Sequence, residues 1–145
     1  MGLGTHIGLI LVYLGGSIGF NSWLIKGFMD TISPSLDEAA KVDGATDFQI
    51  FRRIIAPLSR PILVVIFVIT FIGIYSDFIL AAIFLKDKNL WTVAVGINTV
   101  FIDDFNADWG VIAASSVIAA TPIAVLFIFF QKQITGGLTA GSVKG

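Results

Sequence analysis

The chain has 145 residues, 56% hydrophobic and only 13% charged, with a mean hydropathy of +0.92; soluble domains carry about 25% charged residues, so this composition belongs in a bilayer. A net charge of -1 with no cluster of Lys or Arg offers phosphate backbones nothing to bind and excludes nucleic acid as a partner. The absence of cysteine excludes disulfides and thiolate metal sites and leaves the redox compartment open.

In chain order, the first long apolar run is His6 to Ile25. It has the roughly 20 residues needed to cross a hydrocarbon core as helix, lacks the basic flank of a signal peptide, and is read as a spanning helix. Gly15 and Gly19 form a GxxxG in it, which lets another helix approach closely, for packing or for a gating movement.

Next comes a polar insert, residues 35–61, SLDEAAKVDGATDFQIFRRIIAPLSRP. It reads as two short helices. Ser35 is placed to cap the first, with Glu38 three residues on reaching back to the cap amide; Thr46 and Gln49 repeat that capping box for the second. Gly44 lies between them, where a sharp stop needs a residue tolerant of positive φ, and Pro57 and Pro61 end the insert. Leu36, Ala39 and Ala40 form an apolar side on the first helix, and Phe48, Phe51 and Ile55 one on the second. The pair either docks on a partner or lies on lipid; its near-balanced charges fit the lipid surface less well than a basic face would.

The second apolar run, Ile62 to Leu85, holds one ionisable residue, Asp77, roughly 12 Å from the outer end at 1.5 Å per residue. A carboxylate at that depth costs several kcal/mol unless it meets water or a partner. Asp77, with Tyr75 and Ser76, then has two readings: a border of an aqueous route for a hydroxylated solute, or a structural hydrogen bond within the bundle. Residues 86–108 follow, with an apolar stretch from Leu90 to Ile97, the acids Asp103, Asp104 and Asp108, and Trp91 and Trp109 as interfacial anchors. It reads as a short interfacial helix or as an acidic solvated loop.

The third run, Trp109 to Gln131, places Ala113, Ser116 and Ala120 on one face, small enough for close helix packing. Ser115 and Ser116 have no base nearby and are packing residues rather than nucleophiles. The tail, residues 132–145, is Gly-rich. Lys26, Lys41, Arg52, Arg53 and Arg60 flank or occupy the insert and Lys132 and Lys144 the tail, against Lys86 and Lys88 in the other connection. The positive-inside rule therefore puts insert and tail in the cytoplasm and residues 86–108 outside.

The insert also carries a resemblance. Glu38, Ala39, Ala40, three residues, Gly44, nine residues, then Ile54 and Pro57 is similar to the EAA loop of the membrane subunits of ABC importers, with Ala56 where the usual pattern has Leu. Tyr75-Ser76-Asp77-Phe78 and the ending Gly137 to Gly145 narrow the resemblance to the carbohydrate-importer branch, most like its maltose/maltodextrin type, and it covers nearly the whole chain. It implies an all-α polytopic membrane bundle, of whose six spans this chain matches the last three (6–25, 62–85 and 109–131), as the C-terminal half of a permease.

By the same resemblance Glu38, Ala39, Ala40, Gly44, Ile54 and Pro57 form a coupling element seated on a partner ATPase dimer. Residues 97–106, with Ile97, Asn98 and Asn106, meet an extracytoplasmic solute-binding protein, a second permease subunit completes the pore, and the tail folds back onto the ATPases. The bound sugar in such systems is held chiefly by the other membrane subunit.

The residues indicate no enzyme, metal or cofactor of this chain's own. His6 is the sole histidine, and no Gly-rich loop ends in Lys-Ser/Thr, so ATP is expected on the partner. The expected function is ATP-driven import of sugars or oligosaccharides across the inner membrane. The rival readings are a permease for another solute and a membrane scaffold that transports nothing.

Overall fold

A computed structural model describes residues 4–102 and 109–139, and among these every regular element is helical. Helix α1 (His6–Met29) has 24 residues, about 36 Å at 1.5 Å per residue, longer than a hydrocarbon core of about 30 Å. Two short helices follow, α2 (Pro34–Val42) and α3 (Asp47–Ile50), the latter running into a π-helical turn (Phe51–Ile55) and α4 (Ala56–Leu58). After Ser59 come α5 (Arg60–Tyr75), α6 (Ile79–Phe84), a 3₁₀ turn (Lys88–Leu90), α7 (Val93–Ile102) and α8 (Trp109–Thr139).

Among the described residues two helices, α1 and the Trp109–Ile134 part of α8, are long and apolar enough to span a membrane. A third span results if Asp47–Leu58 and α5, bent by 60° at Ser59, are counted as one. The bend has a local cause. Pro61 has no amide to donate and its ring crowds the carbonyl one turn back, so the helix ahead of it cannot run straight through.

The apolar run 62–85 is not one helix. Sixteen residues of α5 reach only about 24 Å, and the chain breaks over Ser76 to Phe78 before α6 begins. Asp77 supplies the reason: its Oδ1 accepts from the Leu80 amide at 3.1 Å. A short polar side chain has taken over a backbone donor, ending one helix and capping the next.

The described residues form two compact units. One comprises residues up to Ile18 and Val68–Phe129. Its core is Leu9, Ala81, Leu85 and Val95, with Tyr13, Phe78 and Trp91 packed against them. The connection after the second apolar run is thus folded onto the helices: Val95 of α7 is buried, and His6 Nε2 lies 3.0 Å from the Leu90 carbonyl oxygen. In α8, Pro122 removes the amide that would pair with the Ile118 carbonyl. One residue on, the Ala119 carbonyl accepts the Tyr75 hydroxyl at 3.0 Å. The Ser116 and Thr121 hydroxyls donate to carbonyls four residues back, which satisfies polar groups where lipid offers no partner.

The other unit comprises Gly19–Phe67 and the residues from Phe130 on. Ala40, Ile50, Ser59 and Ile66 are buried in it. Ser59 Oγ donates to the Ile55 carbonyl at 2.8 Å and meets Met29 Sδ at 3.8 Å, and Phe67 packs edge-on to Phe130 with ring centroids 5.9 Å apart.

Both long helices are exposed along their apolar lengths, from Ile7 and Trp23 on α1 to Phe129 on α8. A helix hydrophobic all round needs an apolar surround, either lipid or further protein. Nothing lies within 4 Å of where a Cβ would stand on Gly15 or Gly19, so the GxxxG face packs on nothing among the described residues.

Candidate functional site

Two constellations carry the residues singled out by sequence: the helix pair over residues 34–58, and a cleft formed by α5, α7 and α8.

The helix pair begins two residues earlier than the capping pattern predicts. Ser33 is the N-cap of α2, with Pro34 at the first helical position, and Ser35, expected as the cap, lies inside the helix. No side-chain cap bond forms there; the two serine hydroxyls pair with each other at 2.7 Å. Proline's fixed φ and missing amide suit a first helical position, and Ser-Pro is the signal that marks the true start.

The turn between the helices is as the glycine predicts. Gly44 has φ +78°. Its amide donates to the Lys41 carbonyl and that of Ala45 to the Ala40 carbonyl, both at 3.0 Å. That pair of bonds is a Schellman motif, which closes the carbonyls at the end of α2.

Thr46 caps α3 with the full reciprocal box: its Oγ1 accepts from the Gln49 amide at 3.4 Å and its own amide donates to Gln49 Oε1 at 3.0 Å. A Thr46→Ala change removes one helix-end partner worth about 1 kcal/mol. The Gln49 amide is then expected to exchange hydrogen about fivefold faster by mass spectrometry.

Beyond Ile50 the chain widens into the π turn, with the Ala56 amide donating five residues back to the Phe51 carbonyl. Pro57 follows at once; having no amide, it cannot continue the ordinary four-residue ladder, which favours the wider turn ahead of it.

Within this pair Glu38, Ala39, Gly44 and Pro57 are exposed, Ile54 is half-buried and Ala40 is buried. Phe48 and Phe51 are 70% and 56% exposed, and Val42 88%. The inward residue of α3 is Ile50, 5% exposed; the predicted apolar side of Phe48 and Phe51 faces out. The one ion pair nearby, Lys41 with Asp47 at 3.6 Å, is solvent-exposed and adds little. The arrangement is thus an ordered knob with two phenylalanines one turn apart on its outside, and a carboxylate, Glu38, elsewhere on its surface.

The cleft has a volume of about 290 Å³. Tyr75 and Ser76 line one side, Val93, Ala94, Ile97 and Asn98 of α7 another, and Ala119, Ala120 and Ile123 of α8 the third. It brings together residues that sequence reasoning kept apart, since Tyr75 and Ser76 were assigned to the second apolar run and Ile97 and Asn98 to the outer connection.

Asp77 does not line the cleft. It caps α6, and beside it lies the buried Tyr13 hydroxyl of α1, within electrostatic reach but without a hydrogen bond of ordinary geometry. Tyr13 was not singled out by sequence; a tyrosine in an apolar helix gives no sign of its neighbour until the fold places Asp77 beside it. The Tyr75 ring stacks on Phe71 with centroids 5.6 Å apart. The Asn98 Oδ1 is buried and has no hydrogen-bond partner among the described residues. Asn106, the acids Asp103, Asp104 and Asp108, and the end of the tail from Ala140 lie outside the described residues.

Comparison with known proteins agrees with the motif. Residues 2–138 match the family described as "Binding-protein-dependent transport system inner membrane component". The chain is 48% identical over all 145 residues to the maltose/maltodextrin transport system permease protein MalG of Vibrio vulnificus (strain YJ016), covering 48% of that protein. It is 46% identical over its whole length to the proteins of the same name from Photorhabdus laumondii and Escherichia coli (strain K12), again covering 48% of each. The chain therefore spans about half the length of the curated relatives it matches. With all but a few of its residues inside the family match, the chain belongs to the binding-protein-dependent transport system inner membrane components.

Proposed function

We propose that this chain is the part of an ABC importer permease that couples ATP hydrolysis by a partner to the inward movement of sugars or oligosaccharides of the maltose/maltodextrin kind. The observation that carries the reading is the knob over residues 34–58. It is capped at Thr46, closed at Gly44, and presents Phe48 and Phe51 to the outside. Apolar side chains exposed on an ordered, polar, well-capped element are a docking surface, and the nearby Glu38 adds a charge that sets orientation.

In this reading the knob lies in the cytoplasm, where the basic residues around it place it, and seats on an ATPase subunit. Closure of two ATPases pushes on α2 and α3, and the 60° bend at Ser59 carries that push into α5. Glu38, Ala39, Ala40, Gly44, Ile54 and Pro57 are the coupling residues. Tyr75, at the end of α5, and Ser76 just beyond it mark the passage, with Asp77 holding the break behind them. Residues 86–108, with Ile97, Asn98 and Asn106, face a solute-binding protein, and a second permease subunit and lipid surround the remaining apolar faces. The sugar assignment draws on the relatives' names together with the uncharged lining that the described residues give the cleft.

The test is uptake of labelled maltodextrin by proteoliposomes holding the full permease, its partner subunits, the ATPase and the binding protein. Uptake is expected with the natural chain and is expected to fall at least about tenfold with Glu38→Lys, since reversing a charge at a docked surface sets like charges together. Accumulation of an amino acid in place of the sugar would replace the substrate class. Uptake of nothing, with the complex intact, would leave a scaffold.

A further inference from the structure

Ser59 stands at the 60° bend between Asp47–Leu58 and α5 and is only 3% exposed. Its hydroxyl has one hydrogen and two acceptors in reach. The Ile55 carbonyl takes that hydrogen at 2.8 Å, and Met29 Sδ, at the end of α1, lies 3.8 Å away. The Ser59 amide already donates to the same carbonyl at 2.9 Å, so the hydroxyl is not needed there to satisfy it. Its effect is on shape, because a serine bonded to the carbonyl four residues back bends a helix. A thioether is a weak acceptor and leaves the hydrogen with the carbonyl.

The sulfur is open to chemistry from the other side. Met29 is the half-buried last residue of α1, and the ion pair that brackets it, Lys26 with Asp30 at 2.7 Å, is solvent-exposed. The chain has no cysteine and two methionines, so its only sulfur atoms are those of Met1 and Met29. Hydrogen peroxide transfers one oxygen to such a sulfur. The sulfur lone pair attacks, the O–O bond breaks, an S–O bond forms and water leaves; sulfur is oxidised by two electrons and the peroxide reduced by two. The product is polar where the thioether was apolar, and its oxygen competes with the Ile55 carbonyl for the single Ser59 hydrogen.

We propose that Met29 is a reversible oxidation site whose sulfoxide draws the Ser59 hydroxyl off the Ile55 carbonyl and resets the bend into α5. The proposal rests on the coupling reading above, in which that bend carries the push of the ATPases, and adds a redox input to it. Peroxide lowers coupling. Methionine sulfoxide reductases reverse the step, two thiols giving a disulfide and water as the thioether is restored.

The test uses the full permease with its partner subunits in proteoliposomes, treated with hydrogen peroxide. Oxidation of Met29 is followed by the added mass of one oxygen on its peptide, and coupling by solute-stimulated ATPase activity. Stimulation is expected to fall about fivefold as Met29 becomes fully oxidised, the worth of one net hydrogen bond changing acceptor, and to return on treatment with the reductases. Met29→Leu, a volume-conserving change, is expected to keep the natural stimulation and to lose this response, which separates Met29 from the sulfur atoms of the partners. Ser59→Ala is expected to oxidise at Met29 with no further fall from its own untreated activity, since no hydroxyl is left to change acceptor.

A Met29 that stays unoxidised while other methionines of the complex react overturns the proposal and leaves the coupling reading standing. Unchanged stimulation at full Met29 oxidation does the same, as does an equal peroxide response in Met29→Leu. A natural, untreated complex without solute stimulation removes the coupling reading and this input with it.

Discussion

Gly44→Pro is expected to abolish coupling, with solute-stimulated ATPase activity in proteoliposomes falling on the order of a hundredfold. Three conflicts arise at one residue. Gly44 has φ +78°, whereas the proline ring holds φ near −65°. The Gly44 amide, which donates to the Lys41 carbonyl, disappears. Asp43, at φ −73° and ψ 3°, lies in a region that a residue before proline avoids. Together these cost about 3 kcal/mol or more, enough to move α3 away from its angle to α2. Gly44→Ala keeps the amide and meets only the left-handed penalty of about 1–2 kcal/mol, so an intermediate loss of about tenfold is expected. Normal stimulation in the proline variant would remove the turn from the coupling mechanism.

Phe48→Asp is expected to detach the ATPase. Phe48 is 70% exposed, so its replacement takes little from the chain's own packing, and surface changes of this kind alter stability by only about 0.5 kcal/mol. Any large effect must therefore come from a partner. Aromatic side chains at the centre of an interface are worth about 2 kcal/mol or more, or about thirtyfold in affinity. Co-purification of the ATPase with the permease is expected to fall by that factor, while membrane insertion, read by the yield of the permease itself, stays level. Phe48→Leu should keep most of the binding. If ATPase recovery with Phe48→Asp matched the natural chain, the exposed phenylalanines would belong to lipid instead.

The two sites were legible in the sequence to different degrees because they are held by interactions of different range. The knob is local. Thr46 reaches Gln49 three residues away, and Gly44 closes bonds to Lys41 and Ala40, so spacing alone announces them. Even here two local cues compete: Ser35 and Glu38 match a capping box, but Ser33 followed by Pro34 starts the helix sooner. The π turn before Pro57 had no distinct pattern, because apolar periodicity over Phe48, Phe51 and Ile55 reads as ordinary helix.

The cleft is non-local. Its sides come from residues 75–76, 93–98 and 119–123, and its tie, from the Tyr75 hydroxyl to the Ala119 carbonyl, crosses 44 positions. No periodicity encodes that contact. Asp77 shows the same limit from the opposite direction. Its depth in an apolar run marked it as unusual, and two roles were open to it. One of its oxygens caps α6, a bond to a residue three positions on that sequence could have proposed, while the Tyr13 hydroxyl beside it comes from a separate helix.

By itself the sequence determined that the chain lives in a bilayer, that it is helical, and that a capped polar knob interrupts its apolar runs. Those properties follow from composition, hydropathy and hydrogen bonds that close within about four residues. Only the tertiary structure decided that Val95 of the connection after the second apolar run is buried against Leu9, Ala81 and Leu85, and that Tyr75 and Asn98 line one cleft. Each of these depends on which distant side chain arrives at a given place, and in an apolar chain many segments are hydrophobic enough to be neighbours. Shape and the few polar atoms needing partners choose among them, and those become readable once the helices are packed.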